Sequence, residues 1–357
     1  VLPEPSNPRT LKPPNPRTLK PPNPQTFEPF MNKTFNWGII GLGRIAHKFA
    51  SDLAKTPGAK LAAVASRDMD RSVEFGRQYG AGHVYGSYEE IIQCPDLDAV
   101  YIATPNNLHC QNTLFCIAHK LPVLCEKPFS INIHEARQMV EAARMQETFL
   151  MEAFWTRFLP TTQKMLQLIA DNQIGAVMGI KADFGFKPPY EPAGRLFNPE
   201  LGGGALLDIG VYPLFLATLV LGMPVEVTAK AYLGATGVDE DTAIILRHRN
   251  GALSHLHTTI RMGTKSEAFI YGETGTIHLH SRFHEMTSMS LLREGQRPTF
   301  FQFDNQVHGY TFEAQEVMRC LSFGLTESPD LNLDFTLARM ELLDEIRQQI
   351  GLQYPGE

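Results

Sequence analysis

Residues 37–46 read Trp-Gly-Ile-Ile-Gly-Leu-Gly-Arg-Ile-Ala. An apolar run (37–40) enters a glycine turn and leaves as a segment in which Ile45, Phe49 and Leu53 recur every four residues on one helical face, stopped by Pro57-Gly58. Gly41-Leu42-Gly43-Arg44-Ile45-Ala46 is a G-x-G-x-x-A string between strand and helix, the setting in which this spacing carries meaning. Gly41 permits the tight turn, Gly43 lets a pyrophosphate approach the backbone, and Ala46 allows close helix–strand packing. The helix N-terminus then faces the phosphates.

Outward from this turn, short apolar runs at 60–65, 99–103 and 123–125 alternate with helical stretches at 71–79, 88–93 and 110–118, as expected of a parallel sheet with crossover helices. A Rossmann dinucleotide-binding domain over 31–153 is therefore expected. After Thr161 the texture changes. One helix (161–172) is followed by runs at 177–186, 225–233, 242–248 and 251–260 separated by Gly and Asn turns, which predict an antiparallel sheet. Leu337, Met340, Leu343, Ile346 and Ile350 then mark a last helix capped by Gly351 and packed back on the body. The fold class expected is α/β, with a second, α+β domain over 154–357.

The chain has 357 residues, 43% of them hydrophobic, so it can bury a large core, and 32 basic against 38 acidic residues give a net charge of -6. That balance lacks the basic excess a nucleic-acid partner requires. Five cysteines form no C-x-x-C pair, which argues for reduced thiols and a cytoplasmic location. No apolar run is expected to reach the roughly 18 residues of a membrane span. Residues 7–27 repeat NPRTLKPP, NPRTLKPP, NPQTF; their prolines remove donors and fix φ. Residues 1–30 are thus expected to be a disordered proline-rich extension without an export signal, with translation of the functional protein starting at Met31.

Four further stretches carry chemistry. Ser66-Arg67 stands at the end of the second strand, where NAD enzymes present a carboxylate to the ribose; arginine and serine there suit a 2′-phosphate and favour NADP over NAD, with Asp68 next in the chain working against that reading. Thr104-Pro105-Asn106-Asn107-Leu108-His109 follows the third strand, where its backbone and amides are positioned for the nicotinamide half; His109 reads as a helix start before it reads as a catalyst. Glu126-Lys127-Pro128 follows the fourth strand at the carboxyl edge of the sheet, where ligands of such sheets bind. Finally, the glycine run 202–204 opens a helix on which Asp208 and Tyr212, four apart, share a face. A phenol of ordinary pKa, roughly 10, needs a neighbouring cation to exchange protons near neutrality. Lys127 is the candidate for that charge. No metal site is indicated.

Taken in order, WGIIGLGRIA, YGSYEE, IATPNNLH, VLCEKP, FLMEAFWTRFLP, GGGALLDIGVYP and GLTESP resemble the glucose-fructose oxidoreductase/inositol dehydrogenase (Gfo/Idh/MocA) family from about Phe35 to the C-terminus, and within it the branch of dimeric dihydrodiol and NADP-dependent xylose dehydrogenases. The resemblance implies a Rossmann domain followed by a domain whose large open, mostly antiparallel sheet mediates a homodimer or a tetramer. It implies Lys127 and Tyr212 as the catalytic pair with Asp208 supporting them, and Trp155, Arg157 and Arg195 near the substrate. Gly41, Leu42, Gly43, Arg44, Ile45, Ser66, Arg67, Thr104, Pro105, Asn106, His109, Glu126 and Lys127 would line the cofactor. The activity expected is hydride transfer between NADP(H) and a CH–OH carbon of a sugar, polyol or dihydrodiol. A nicotinamide-dependent glycoside hydrolase of the same fold and a non-catalytic NADP-binding regulator stand as alternatives.

Overall fold

The structure is a computed structural model that describes residues 33–285, 287–303 and 307–357. The proline-rich extension expected over 1–30, and the start expected at Met31, lie outside the described residues.

The first half alternates strand and helix: β1 (Phe35–Ile40), α1 (Arg44–Leu53), β2 (Ala59–Ala65), α2 (Met69–Tyr79), β3 (His83–Tyr85), β4 (Ala99–Ile102), α3 (His109–Ala118), β5 (Val123–Glu126), α4 (Ile133–Met145) and β6 (Leu150–Ala153). All neighbouring strands are parallel, in the order β3-β2-β1-β4-β5-β6. Helices on both faces explain why β4, β5 and β6 are buried throughout. The order reverses between β1 and β4, so the carboxyl ends of these strands open a crevice there, and the glycine turn enters it. Short apolar runs in the sequence located β1, β2, β4 and β5; β3, only three residues long, and β6, whose Glu152 interrupts an apolar run, went unread.

The second half contains α5 (Pro160–Ala170), β7 (Val177–Gly185), α6 (Val211–Leu221), β8 (Pro224–Leu233), β9 (Asp239–His248), β10 (Leu253–Thr259), β11 (Ala268–Gly272), β12 (Gly275–Leu279), β13 (Ser288–Arg293), β14 (Thr299–Gln302), α7 (Tyr310–Ser322) and α8 (Leu333–Ile350). Its eight strands run β14-β13-β12-β11-β7-β10-β9-β8, antiparallel except where β7 lies parallel to β10. One face is buried. The registers Tyr232↔Asp241, His255↔Ile245 and Tyr271↔Gly179 place Tyr232, Ile245 and Tyr271 together on the other, where each is 41–50% exposed.

Two long-range ties join the halves. Asp52 at the end of α1 accepts backbone N–H bonds from His308, Gly309 and Tyr310, at 3.0, 2.9 and 2.9 Å, and so holds the start of α7. Glu152 of β6 is paired with Arg339 of α8, a helix that also bonds β8 through Gln349 and Ala229.

One expectation is corrected. Pro199–Leu221 is a helical run of 23 residues long and apolar enough to cross a membrane by length and composition. It escaped notice because Asp208 and four glycines interrupt the apolar letters. With 83% of its apolar window buried inside the protein, its hydrophobic surface is used in the core.

Candidate active site

The glycine turn is shaped by backbone. Gly41 has φ 87°, and a Cβ there would meet the Ala103 carbonyl and the Thr104 amide at 2.8 Å, so only glycine lets β1 turn so close to the β4 loop. Gly43 is different: φ is -84° and no protein atom lies within 4 Å of a Cβ built on it. No contact within the fold calls for glycine at this position. The first turn of α1 has no acidic residue and no side-chain cap, which leaves its N–H groups aimed outward for an anion. Leu42 is buried beneath the turn, Ile45 is half-buried, and Arg44 is exposed beside it. These features fit a dinucleotide pyrophosphate.

At the end of β2, Asp68 caps α2 by accepting from the Arg71 amide at 3.2 Å, and Ser66 Oγ accepts from the Asp68 amide at 3.2 Å. Asp68 is thereby engaged with its own helix. Arg67 stays exposed, its guanidinium 5.9 Å from the Tyr88 ring centroid.

The loop after β4 bends against the glycine run: Asn106 Nδ2 donates to the Gly202 carbonyl at 3.2 Å, and Thr104 Oγ1 accepts from Asn112. Pro105 precedes the short 3₁₀ turn Asn106–Leu108. His109 is 1% exposed, with ring nitrogens 2.8 Å from the Pro128 carbonyl and 3.0 Å from that of Thr104. Its side chain fastens the two loops and has no free edge for a cofactor. Burial pushes its pKa down, against the pull of those two carbonyls.

Lys127 follows β5, and its Nζ donates to the Asp208 carbonyl at 2.8 Å, lies 3.8 Å from Asp208 Oδ1 and stands 5.0 Å from the Tyr212 ring centroid. Leu206–Gly210 is a π-helical turn leading into α6, a local widening that delivers the Asp208 carbonyl and the Tyr212 ring to the same lysine. Asp208 also accepts from Arg195 Nη1 at 2.7 Å. Burial opposes the carboxylate, yet Lys127 and Arg195 outweigh it and hold its pKa low. Burial likewise opposes the Lys127 ammonium, but Tyr212, Asp208 and Glu126 together raise its pKa.

Tyr212 departs from expectation. Burial raises its pKa, and the opposing effects of Lys127 and of Trp155, whose Nε1 donates to the phenol oxygen at 3.2 Å, do not overcome it. The phenol therefore rests protonated, a proton donor before it is an acceptor. Glu126 is buried, accepts from Tyr101 Oη and from the Lys127 amide, and burial raises its pKa.

Trp155 is thus brought to Tyr212, and it stacks on Tyr310 with centroids 5.0 Å apart. Arg195 reaches the centre through Asp208 with a half-exposed side chain. Arg157 is engaged elsewhere: it is 3% exposed and bonded to the Asp330 carbonyl and carboxylate at 2.8 and 2.9 Å, because the Trp155–Phe158 3₁₀ turn sends residues two apart in different directions. Sequence reasoning missed Phe184, His284 and Tyr310, which join Tyr212 and Trp155 in one aromatic wall. Nothing local marked them.

A nucleotide-binding turn, a lysine–carboxylate–phenol cluster and an aromatic wall at one sheet edge define an oxidoreductase of the nicotinamide-dependent class. Comparison with known proteins agrees. Residues 35–154 match the family model described as oxidoreductase family, NAD-binding Rossmann fold (GFO_IDH_MocA), and 162–278 match the GFO/IDH/MocA C-terminal domain. The chain is 36% identical to trans-1,2-dihydrobenzene-1,2-diol dehydrogenase of Xenopus laevis, covering 89% of this chain and 99% of that protein, and 32% identical to the Homo sapiens protein of the same name, covering 90% and 98%. Among solved structures, the aldose-aldose oxidoreductase of Caulobacter crescentus superposes with TM-score 0.81 at 23% identity over 89% and 97% of the two chains. The 3-ketoreductase KijD10 of Actinomadura kijaniata, in complex with NADP and TDP-benzene, gives 0.80 at 24% over 89% and 98%. The chain belongs to the GFO/IDH/MocA oxidoreductase family and is an enzyme acting on CH–OH groups.

Proposed function

We propose that the protein transfers a hydride between NADP(H) and a CH–OH carbon of a sugar, polyol or dihydrodiol-like substrate, with 31–153 binding the dinucleotide and 154–357 building most of the substrate wall. The observation that carries this is the Lys127 ammonium, tied to Asp208 and 5.0 Å from the Tyr212 ring centroid at the carboxyl edge of the parallel sheet. Arg67, left exposed while Asp68 caps α2, supports NADP over NAD. Bound nicotinamide supplies the hydride acceptor or donor. Tyr212 gives its proton to the carbonyl oxygen in reduction and takes it from the hydroxyl in oxidation. Lys127 stabilises the oxygen that gains negative charge, Asp208 and Arg195 orient Lys127, and Trp155 holds the phenol oxygen in place. Removing a general acid–base group typically costs about 10²–10⁴-fold. Tyr212→Phe should lower kcat by that factor with NADP affinity retained; unchanged turnover with every sugar, polyol and trans-dihydrodiol the wild type accepts would refute the role.

The same reading makes the exposed face of the eight-stranded sheet a homodimer interface, because Tyr232, Ile245, Leu253, Tyr271 and Phe300 lie there at 40–59% exposure. Ile245→Lys should convert a dimer to monomers in sedimentation velocity, and a monomeric wild type would sink it. Five buried, unpaired cysteines support a reducing compartment, the cytoplasm.

A further inference from the structure

The reaction centre hangs on α7 as well as on α6. Trp155, whose indole donates to the Tyr212 phenol oxygen at 3.2 Å, is packed by the first residues of α7. Tyr310 lies flat on the indole, with centroids 5.0 Å apart and planes at 2°. Gly309 is pressed closer still: its φ is 114°, and a Cβ there would meet Trp155 Cε3 at 2.6 Å and Leu159 Cδ2 at 2.8 Å. Position 309 is the N-cap of α7, so the residue best placed to satisfy the free amides of this helix can carry no side chain.

The cap comes from the other half of the molecule. Asp52, buried at the end of α1, spends both carboxylate oxygens on α7: Oδ1 accepts from the His308 amide at 3.0 Å, and Oδ2 from those of Gly309 and Tyr310 at 2.9 Å each. The Asp52 carbonyl accepts from Thr311 Oγ1 at 3.2 Å, and Phe49 on the same helix meets Tyr310 edge-on with centroids 6.3 Å apart. Removing an N-cap side chain loosens the first turn it serves. Here that turn is what holds Trp155, and α1 carries the glycine turn at its opposite end, ten residues or about 15 Å away. One short helix thus fixes the indole relative to the cofactor turn.

We propose that Asp52 is a positioning residue for the hydride-transfer reaction: by capping α7 across the boundary between the halves it seats Gly309 and Tyr310 against Trp155, and so keeps the indole N–H on the Tyr212 oxygen. The inference rests on Tyr212 as the proton-transferring group, and it assigns a role in turnover to a carboxylate that acts through α7 and Trp155.

The test uses the full chain as wild type, Asp52→Asn, Trp155→Phe and the double variant. Asparagine keeps the shape of the side chain but turns an NH₂ toward backbone N–H groups, so the three bonds cannot all survive. Turnover is measured with NADP⁺ and three probes, D-xylose, D-glucose and trans-1,2-cyclohexanediol. A misplacement of about 1 Å at the reacting groups costs up to about 100-fold, so Asp52→Asn should lower kcat about 10- to 100-fold and leave the Kd of NADPH level. In the Trp155→Phe background the same substitution should cost no more than about twofold, because the contact it serves is already gone. Trp37 and Trp155 are the two tryptophans, and Trp37 is fully buried in the core of the parallel sheet. Acrylamide quenching should therefore rise in Asp52→Asn, with no such rise between Trp155→Phe and the double variant. Gly309→Ala, which pushes on the indole from the α7 side, should give the same pattern and carries the test if Asp52→Asn does not fold by circular dichroism. Unchanged quenching, an unchanged kcat on a probe the wild type oxidises, or equal kcat losses with and without Trp155 would each overturn the proposal. Raised quenching in a protein whose wild type oxidises none of the probes would defeat the dehydrogenase reading and leave the seating of Trp155 by Asp52 standing.

Discussion

The glycine turn at 41–46 and the aromatic wall around Tyr212 flank the same lysine but are built in opposite ways. In the turn, function sits in the backbone: a positive φ at Gly41, an open approach at Gly43 and uncapped N–H groups at the start of α1, all within one short stretch of chain. In the wall, function sits in side chains drawn from β7, the Trp155 turn, α6, the turn before β13 and the start of α7, held by ties such as Asp52 to the amides of 308–310. The lesson is that recognition of a shared cofactor is a local property, whereas recognition of a particular substrate is set by the tertiary packing.

This contrast can be broken by substitutions whose effects should stay on one side. The largest is at Arg67: Arg67→Ala should weaken NADP binding about 10- to 100-fold, the worth of a charged hydrogen bond, while NAD binding and substrate KM stay level. Cofactor titrations check it, and an equal loss for NAD would mean Arg67 only shapes the loop. Smaller, and sharper, is the pair of glycines. Gly43→Ala should leave Tm unchanged and weaken cofactor binding about tenfold, because the added methyl meets no protein atom. Gly41→Ala should instead lower stability by roughly 1–3 kcal/mol through its left-handed φ and its contact with the Ala103 carbonyl. Calorimetry that found the two indistinguishable would remove the distinction drawn here.

The sequence was readable where short-range physics decides. Short apolar runs located β1, β2, β4 and β5, a three-to-four-residue period located α8, and the strand–glycine–helix context of 37–53 identified the cofactor turn. Glu126-Lys127-Pro128 was legible because it ends a buried strand. Legibility failed where partners come from afar. Nothing near His284 says that it stacks on Phe184, and nothing near Arg157 says that Asp330 claims it; each contact joins segments far apart in the chain. The tyrosine was found but its electrostatics were not, since proximity to Lys127 is visible in the motif pair while the degree of burial that outweighs it is not.

That last point yields the mildest prediction, a pH dependence whose sign is fixed by the direction of two shifts. Burial raises the Tyr212 pKa above its ordinary value near 10, so the phenol keeps its proton throughout the neutral range. Lys127, also raised, keeps its charge over the same range. Reduction needs the protonated phenol and should hold level from pH 6 to about 10, and fall only above that, as the raised pKa is passed. Oxidation needs the phenol to accept a proton, so its kcat should climb with pH across the same window, by up to about tenfold per unit, with no plateau below the ordinary tyrosine pKa. Tyr212→Phe should erase both limbs, and Trp155→Phe, which removes the hydrogen bond favouring the phenolate, should shift the oxidation limb to higher pH. An oxidation limb that levels near pH 7 would show that the lysine, and not burial, dominates the phenol, and the electrostatics of the wall would then have to be redrawn around Lys127.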